Sequence, residues 1–323
     1  MDSSFRLLLT TALLAGCTTG RTTYRVVVPP TAEALSFLGD TLFSLPLDPR
    51  LGQQRVALLQ QARQGAAVRP NHVPSQTLLA IRTAEIGRFR DAIELYSQII
   101  NANPATVRLY RRRGELLLRI RELRLAIGDL RHATKGGLVA TETEREFNEV
   151  GTSGGYVETT VLYSSFHFLG MALYLDGQFR EARSVWQESL KRAATADELI
   201  HSALWLFFAT RRAGLAAEAR ALLASLPDSV DVNISFAEHD LLRSYKGDLS
   251  LKELPFDMDG PLGTPDDALY GYGVGQTLLL LNRQEEAALM FRRVLATRDW
   301  SSLPYLAAEA DLARMKAADP SIP

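Results

Sequence analysis

The chain has a single cysteine, almost no net charge and no apolar run long enough to cross a membrane. Cys17 is the only cysteine among 323 residues, which excludes an intrachain disulfide and a site built on paired thiolates. The 36 Lys and Arg residues nearly balance the 37 Asp and Glu residues, so the formal net charge is -1 and the basic excess typical of nucleic-acid-binding proteins is missing. A membrane-spanning helix needs roughly 20 consecutive apolar residues, and no run approaches that length.

The motifs of common catalytic and cofactor sites are also missing. The histidines form no HExxH sequence, and no nucleophile elbow surrounds Ser164 or Ser165. The sequence GYGVG at 271–275 falls where we predict a helix, so its glycines are assigned to close helix contact rather than to phosphate binding. Glu285 and Glu286 fall at a predicted helix start, where the positive helix end favours carboxylates. We therefore expect no enzymatic activity, no bound metal and no cofactor.

What is present is a repeated pair, a small residue followed four positions later by a bulky one. The pairs are Ala92 with Tyr96, Ala126 with Leu130, Ala182 with Trp186, Ala219 with Leu223, and Ala287 with Phe291. The first two alanines lie 34 residues apart, the third follows after 56, which is 34 plus an insertion of 22, and the last two are separated by 68, which is twice 34. Residues four apart share one face of a helix, and a small side chain at a crossing lets a second helix approach. The spacing predicts stacked pairs of antiparallel helices, A and B, that are stable only as an array.

The complete unit resembles the tetratricopeptide repeat (TPR). Its first copy has a small residue in helix A, a turn glycine, an aromatic residue, the small-and-bulky pair of helix B and a closing proline: Ala80, Gly87, Phe89, Ala92, Tyr96 and Pro104. In the second copy Arg121 replaces the turn glycine, and in the fourth copy Phe207 occupies the small site. The stretches at 272–295 and 301–314 are similar to an uncharacterised family of bacterial TPR proteins, which implies no activity. The resemblance implies an all-α, TPR-like α-solenoid of antiparallel helix hairpins forming a right-handed superhelix.

We predict eight segments along the chain. They are a lipoprotein signal peptide (1–16), a lipidated cysteine with an extended tether (17–30), an N-terminal capping helix pair (31–70), TPR units one and two (71–139), an acidic, glycine-rich insertion loop (140–160), units three and four (161–227), a degenerate repeat (228–267), and unit five with a C-terminal capping helix (268–317). The capping pair is expected as helices over 31–45 and 48–64, with Thr31 and Asp48 as N-caps.

The insertion is expected to be a mobile loop. It carries four glutamates, Glu142, Glu144, Glu146 and Glu149, followed by three glycines. Long connections of this kind are either solvated links without a task or functional segments, so the insertion is either a plain connection or a lid or docking segment over the groove.

The first residues resemble the signal of a bacterial lipoprotein. Arg6 precedes an apolar run at 7–14, and two small residues precede Cys17. The resemblance predicts lipidation of Cys17; the alternative is an ordinary N-terminal helix with a chance cysteine. Thr18 follows Cys17 where an aspartate would indicate inner-membrane retention, and resemblance to enterobacterial sorting then favours the outer membrane. We expect a lipid-anchored protein of the bacterial cell envelope that faces the periplasm.

If the chain binds a ligand, the TPR resemblance places it on the concave face formed by the A helices. The implied inward positions are Arg108, Arg111, Glu115, His167, Met171, Tyr174, Phe208, Arg211, Arg212, Tyr272 and Gln276. The arginine cluster at 108 and 111–113 could hold a carboxylate or a phosphate, or it could pair with Glu115 and other acids on a solvated face.

Two classes of function stay open. The first is a membrane-anchored TPR scaffold or adaptor that binds protein or peptide partners in the cell envelope through its concave face. The second is a binding module for a small-molecule or cell-wall-derived ligand in the superhelix groove, held by Arg111, Tyr174, Arg211 and Tyr272. Neither class involves nucleic acid.

Overall fold

The computed structural model describes residues 30–47, 49–135, 144–150, 155–227 and 229–322. The predicted signal segment, Cys17 and the tether up to residue 29 lie outside these ranges. Within them the chain forms thirteen α-helices and two short β-hairpins. No helix of the described ranges is both long and apolar enough to cross a membrane.

The helices form an array of hairpins in chain order. Helix α1 (Gly52–Val68) comes first and is followed by the pairs α2 (Val73–Glu85) with α3 (Phe89–Ala102), α4 (Val107–Arg119) with α5 (Leu123–Lys135), α6 (Val161–Leu175) with α7 (Phe179–Lys191), and α8 (Ala196–Arg212) with α9 (Ala216–Ser225); then come α10 (Phe236–Lys246), the pair α11 (Pro265–Leu280) with α12 (Gln284–Ala296), and α13 (Leu303–Ala318). Each helix packs against its neighbours in sequence. The prediction of an all-α, TPR-like solenoid is therefore confirmed.

The repeated small and bulky residues form the core between the helices, as predicted. All five alanines of the pattern are fully buried, and so are their bulky partners, the most exposed being Leu223 at 6%. Glycines on the A helices face the same bulky side chains. A Cβ atom added to Gly170 would lie 2.6 Å from Cε2 of Trp186, and one added to Gly114 would lie 2.7 Å from Cγ of Leu130. The close approach of the A and B helices therefore depends on small residues on both sides of the crossing.

The turn between helices A and B adopts a left-handed backbone in all five pairs. Gly87, Gly177 and Gly214 have φ angles of 78°, 79° and 79°. In the second pair Arg121 takes this place with φ 66°, and in the fifth pair Asn282 takes it with φ 59°. The left-handed region of backbone conformation is sterically unfavourable for arginine but not for glycine. Arg121 therefore replaces the turn glycine of the second copy without changing the conformation of the turn.

Residues 31–45 form a β-hairpin, so the helix predicted there is wrong. Strand β1 (Ala32–Leu35) pairs antiparallel with strand β2 (Thr41–Phe43), and Gly39 in the turn between them has φ 96°. The Ser36 hydroxyl accepts hydrogen bonds from backbone N–H groups within the turn. Such local bonds compete with a helix, and the sequence reasoning overlooked them.

The second half of the predicted capping pair is a helix, but it is displaced along the chain. The helix expected over 48–64 is α1, whose N-cap is Leu51 without a side-chain cap bond. Asp48, the expected cap, lies outside the described residues. The capping segment therefore consists of a β-hairpin and one helix.

The insertion also contains regular structure, so the expectation of a loop is wrong for most of its described part. Strand β3 (Arg145–Val150) and strand β4 (Gly155–Thr160) pair antiparallel in continuous register. Thr160 then caps α6 by accepting a hydrogen bond from the backbone N–H of Tyr163 at 3.1 Å. Two short segments separated by glycines indicate a hairpin, but the loop was predicted from the four glutamates and the glycines alone.

Between the fourth and fifth pairs the described part of the chain forms one helix, α10, which packs on α8 and α11. The described residues from 247 to 264 contain no helix. Phe207, the large residue in the small site of the fourth unit, stacks on Tyr245 of α10 with ring centroids 4.6 Å apart. The fourth unit accommodates Phe207 by packing it against this single helix.

Candidate functional site

One part of the predicted concave face is covered by the chain's own C-terminal helix. Asp311 of α13 is fully buried and accepts hydrogen bonds from Oη of Tyr272 at 2.9 Å and from Nε2 of Gln276 at 2.7 Å. The same carboxylate pairs with Arg212 and with Arg314, the latter at 2.8 Å. Burial raises the pKa of Asp311, but the two guanidinium groups outweigh it, so the pKa lies below its ordinary value. Asp311 is therefore a charged centre on which the A helices converge.

The structure thus brings together the predicted groove residues Tyr174, Arg212, Tyr272 and Gln276. Oη of Tyr174 lies 2.6 Å from Oη of Tyr272, and burial raises the pKa of both phenols. Their polar atoms are occupied by each other and by Asp311. In this structure they hold α13 in place rather than a ligand from outside.

The same helix is joined to the start of the described chain. Glu309 pairs with Arg121 at 2.5 Å and accepts a hydrogen bond from the backbone N–H of Phe37. Nε1 of Trp300 donates to the carbonyl of Phe43 at 2.7 Å, and the Arg121 guanidinium lies 5.2 Å from the Trp300 ring centroid. The β1–β2 hairpin, the turn of the second pair and α13 therefore meet at one junction.

A second part of the concave face is covered by the insertion. Glu144, just before β3, pairs with Arg108 at 2.5 Å. Glu146 on β3 pairs with Arg111 and, at 3.3 Å, with Arg112. Arg111 and Glu146 are both buried. The arginine cluster that the sequence offered to a carboxylate is thus occupied by carboxylates of the insertion itself.

Glu115 completes this charge network from within α4. Its carboxylate lies 2.5 Å from Arg111 and 2.8 Å from Arg119. Burial raises the pKa of Glu115, but Arg119, Arg111 and Arg112 together outweigh it and lower the pKa to about 2. Burial likewise lowers the pKa of Arg111, and Glu146 and Glu115 more than compensate. Glu115 and Arg111 are therefore both charged at neutral pH.

Between the two covers an open cleft of about 900 Å³ remains on the concave face. It extends from α2 and α4 across α6 and α8 to the start of α11, and both β3 and the start of α13 border it. Its apolar lining includes Leu78, Ile81, Phe89, Phe168, Trp205, Leu269 and Leu303. A concave surface with apolar side chains and a few polar groups is the usual form of a binding site.

Charges are unevenly distributed around the cleft. The lining arginines all come from α1, α2, α4 and β3, and they are Arg55, Arg82, Arg108, Arg112, Arg119 and Arg145. The opposite side, made by α8, α10 and α11, contributes His201, Glu238 and Asp266. Burial, Glu238 and Asp267 raise the pKa of Asp266. The cleft thus has an arginine-rich side, which also carries Glu85, Glu115 and Glu146, and an acidic side without arginine.

A pair of histidines lies on the acidic side. Nδ1 of His201 is 2.9 Å from Oε1 of Glu238, and Nε2 of His201 is 3.4 Å from Nε2 of His167. Burial, then His201 and two arginines, hold the pKa of His167 well below 6.5, so its ring is neutral. Among the described residues no group of three or more His, Cys, Asp and Glu side chains is arranged to hold a metal ion.

The other predicted groove residues lie in several parts of the structure. Arg108 and Glu115 line the cleft, and His167 is buried behind His201. Met171 and Phe208 are buried in the core, and Arg211 is half-buried outside the cleft lining.

Sequence reasoning missed Glu309 and Asp311, which decide where α13 lies. The signal that could have found them is their place in the run LPYLAAEADLA, where two acids interrupt the apolar part of a helix. Buried carboxylates require cationic partners, so such a run indicates facing arginines.

No protein-family model and no curated protein matches the sequence. Among solved structures, MamA (residues 41 to end) from Desulfovibrio magneticus RS-1 is 17% identical over 54% of this chain and 86% of that chain, with a TM-score of 0.42. The ArsTM double mutant of MamA RS-1 is also 17% identical, over 55% of this chain and 90% of that chain, with a TM-score of 0.39. The Naa15/Naa10 complex bound to HypK-THB is 16% identical over 84% of this chain and 38% of that chain, with a TM-score of 0.38. Likeness at this level brings neither a partner nor an activity to this chain.

Proposed function

We propose that this protein is an adaptor of the bacterial cell envelope that holds a short segment of a partner protein in the cleft between α4 and α8. The observation that carries the proposal is the cleft itself. The covers formed by α13 and β3 leave this part of the concave face open, and apolar side chains such as Leu78 and Leu303 lie there beside charged groups. Binding a peptide segment in a groove is a common use of helical scaffolds.

The cleft of about 900 Å³ is open to solvent along one side, so a segment of a partner protein can lie in it with only one face in contact with the lining.

Site-directed photo-crosslinking in intact cells tests the proposal. Leu78 lines the cleft and is 44% exposed, whereas Leu289 on α12 is 53% exposed and lies outside the lining. We expect a benzophenone amino acid at position 78 to form light-dependent protein adducts that are missing at position 289. Narrowing the cleft with Thr77→Trp should reduce these adducts at least fivefold. Equal adducts at both positions, or no effect of Thr77→Trp, would contradict the assignment of the cleft.

A small ligand is the second candidate, because the volume of the cleft is also that of a small-molecule pocket. Pockets for small molecules span about 300–1,000 Å³, and this cleft lies within that range. Native mass spectrometry of the chain purified from its own cells should then show an added small mass that Thr77→Trp removes. A spectrum of the bare chain alone, together with adducts at position 78, would decide for the peptide.

We also propose that the adaptor is attached to a membrane through a lipidated Cys17 and faces the periplasm. The proposal is supported by the sequence before the described residues, an apolar run that ends in small residues and Cys17. Residues 18–30 would reach at most about 45 Å from the bilayer.

Lipidation is tested with matched variants at adjacent positions. We expect Cys17→Ser to move the protein from the membrane fraction to the soluble fraction and to abolish fatty-acid labelling, while Thr18→Ser changes neither. Retention of the Cys17→Ser chain in the membrane fraction would show that the anchor lies elsewhere.

A further inference from the structure

We infer that the arginine face of α4, formed by Arg108, Arg111 and Arg112, recognises an extended acidic segment, and that β3 is its intramolecular occupant. The inference rests on the proposed function in taking the natural competitor of β3 to be a segment of a partner protein. It names the chemistry of that segment, with carboxylates at alternate residues.

The first observation is the match in spacing between the two elements. Glu144 and Glu146 are two residues apart on an extended chain, so both side chains point to the same face. The arginines are three and four residues apart on a helix, so they also share a face. Glu144 meets Arg108, and Glu146 lies between the other two guanidinium groups. The carboxylates on one face of the extended strand therefore pair with all three arginines on one face of the helix.

The second observation is that α4 also contacts the main chain of the strand. Nη2 of Arg108 donates to the carbonyl oxygen of Arg145 at 3.1 Å, as well as pairing with Glu144. The carbonyls of the flanking residues belong to the hairpin, since that of Glu144 accepts from the N–H of Val161 at 2.9 Å. The carbonyl of Arg145 therefore lies on the open edge of β3, towards α4. Contact with a carbonyl is independent of the side chain at that position, which is a property of peptide recognition.

The third observation concerns the buried oxygen atoms of Glu146. Oε2 faces Arg111 and Arg112, whereas Oε1 is buried without a hydrogen-bond partner among the described residues. If Glu146 only anchored the hairpin, both of its carboxylate oxygens would be expected to accept hydrogen bonds, because a buried acceptor without a donor lowers stability. The pairing of β3 with α4 is therefore not optimal, and a segment that satisfies both oxygens can compete with it.

The repeat spacing supplies a variant that removes the occupant while keeping the array. Ala126 and Ala182 lie 56 residues apart, and deleting residues 138–159 removes the 22 extra residues and restores the 34-residue spacing of the first two units. Thr160 stays in the chain, so the cap of α6 is retained. The deletion exposes the arginine face of α4 to solvent.

The probe is a synthetic peptide with the sequence of residues 144–150, EREFNEV, labelled with a fluorophore and blocked at both ends. We expect it to bind the deletion chain at least tenfold more tightly than the wild-type chain by fluorescence anisotropy, because the intact chain keeps its own strand at high effective concentration. A peptide with glutamine at positions 144 and 146, and a scrambled peptide of the same composition, should each bind the deletion chain at least tenfold more weakly.

A full-length variant covers the case in which the deletion chain does not fold. Glu144→Gln removes only the half-exposed pair with Arg108 and leaves the buried pair of Glu146 intact. We expect it to bind the probe several times more tightly than wild type, whereas Glu158→Gln, which disrupts a pair within the hairpin, should match wild type. Equal affinity of Glu144→Gln and wild type, or equal binding of the ordered and scrambled peptides, would overturn the inference. Photo-adducts at position 78 alongside either result would leave the adaptor proposal intact.

Discussion

Replacing Asp311 by asparagine tests whether charge holds α13 in the concave face. The substitution keeps the volume of the side chain, but it removes the charge facing Arg212 and Arg314 and turns one acceptor oxygen into a donor. Breaking a buried ion pair costs roughly 3–5 kcal/mol, because the remaining charges stay away from water. The two arginine side chains are still 19% and 29% exposed and can be partly hydrated. We therefore expect a loss near the lower end, about 3 kcal/mol.

The assay is guanidinium chloride unfolding of the chain from residue 18, followed by far-UV circular dichroism. The matched control is Glu286→Gln, which removes an ion pair with Arg283 on the surface of α12, and we expect it to leave the midpoint unchanged. Limited proteolysis gives a second readout, since a released α13 should be cut first in the Asp311→Asn chain. A midpoint of Asp311→Asn equal to that of the control would refute the reasoning, and apolar contacts alone would then position the helix.

Three further predictions concern packing and pH. Gly170→Ala places a methyl group 2.6 Å from the Trp186 ring and should lower the free energy of unfolding by about 1–3 kcal/mol. Gly128→Ala, where no atom lies within 4 Å of the added methyl group, should raise it by up to about 1 kcal/mol. Equal melting temperatures of the two variants would contradict the close helix crossing at Gly170. Ala182→Leu should also cost about 1–3 kcal/mol in thermal unfolding, and an unchanged melting temperature would mean that this alanine is not packed. The pKa of His167 is depressed in the folded chain, so its contribution to stability is present above pH 6.5 and is lost as the pH falls below it, when only the unfolded chain takes up the proton. His167→Gln should flatten the acid side of the stability curve in unfolding measured from pH 7 to pH 4, and parallel curves would show that His167 is not protected.

The array of helices could be predicted because its signal is local. The pairing of Ala92 with Tyr96 repeats along the chain, and each copy predicts one buried helix face from two residues only four positions apart. Arg121 shows the limit of this reasoning. The second copy lacks the turn glycine, yet its turn keeps a left-handed backbone, and the arginine side chain reaches Glu309, which is 188 residues away.

The candidate site was predicted only in part, because the residues on a face do not reveal what covers that face. Tyr174 and Tyr272 were predicted to point inward and lie in contact with each other, but Asp311, which binds Tyr272, comes from a distant helix. Likewise the arginines of α4 were proposed to bind a carboxylate, and the structure supplies one from Glu146. The sequence indicated the chemistry of the face and left its partner open.

The sequence by itself determined the helix pairs, their small-and-bulky crossings and the charged character of the concave face, because these depend on residues within about one repeat of each other. The tertiary structure alone decided that α13 and β3 lie across that face and leave a cleft between them. The reason is that ion pairs such as Arg212 with Asp311 join residues about 100 positions apart, and no periodicity records which distant carboxylate will meet a given arginine.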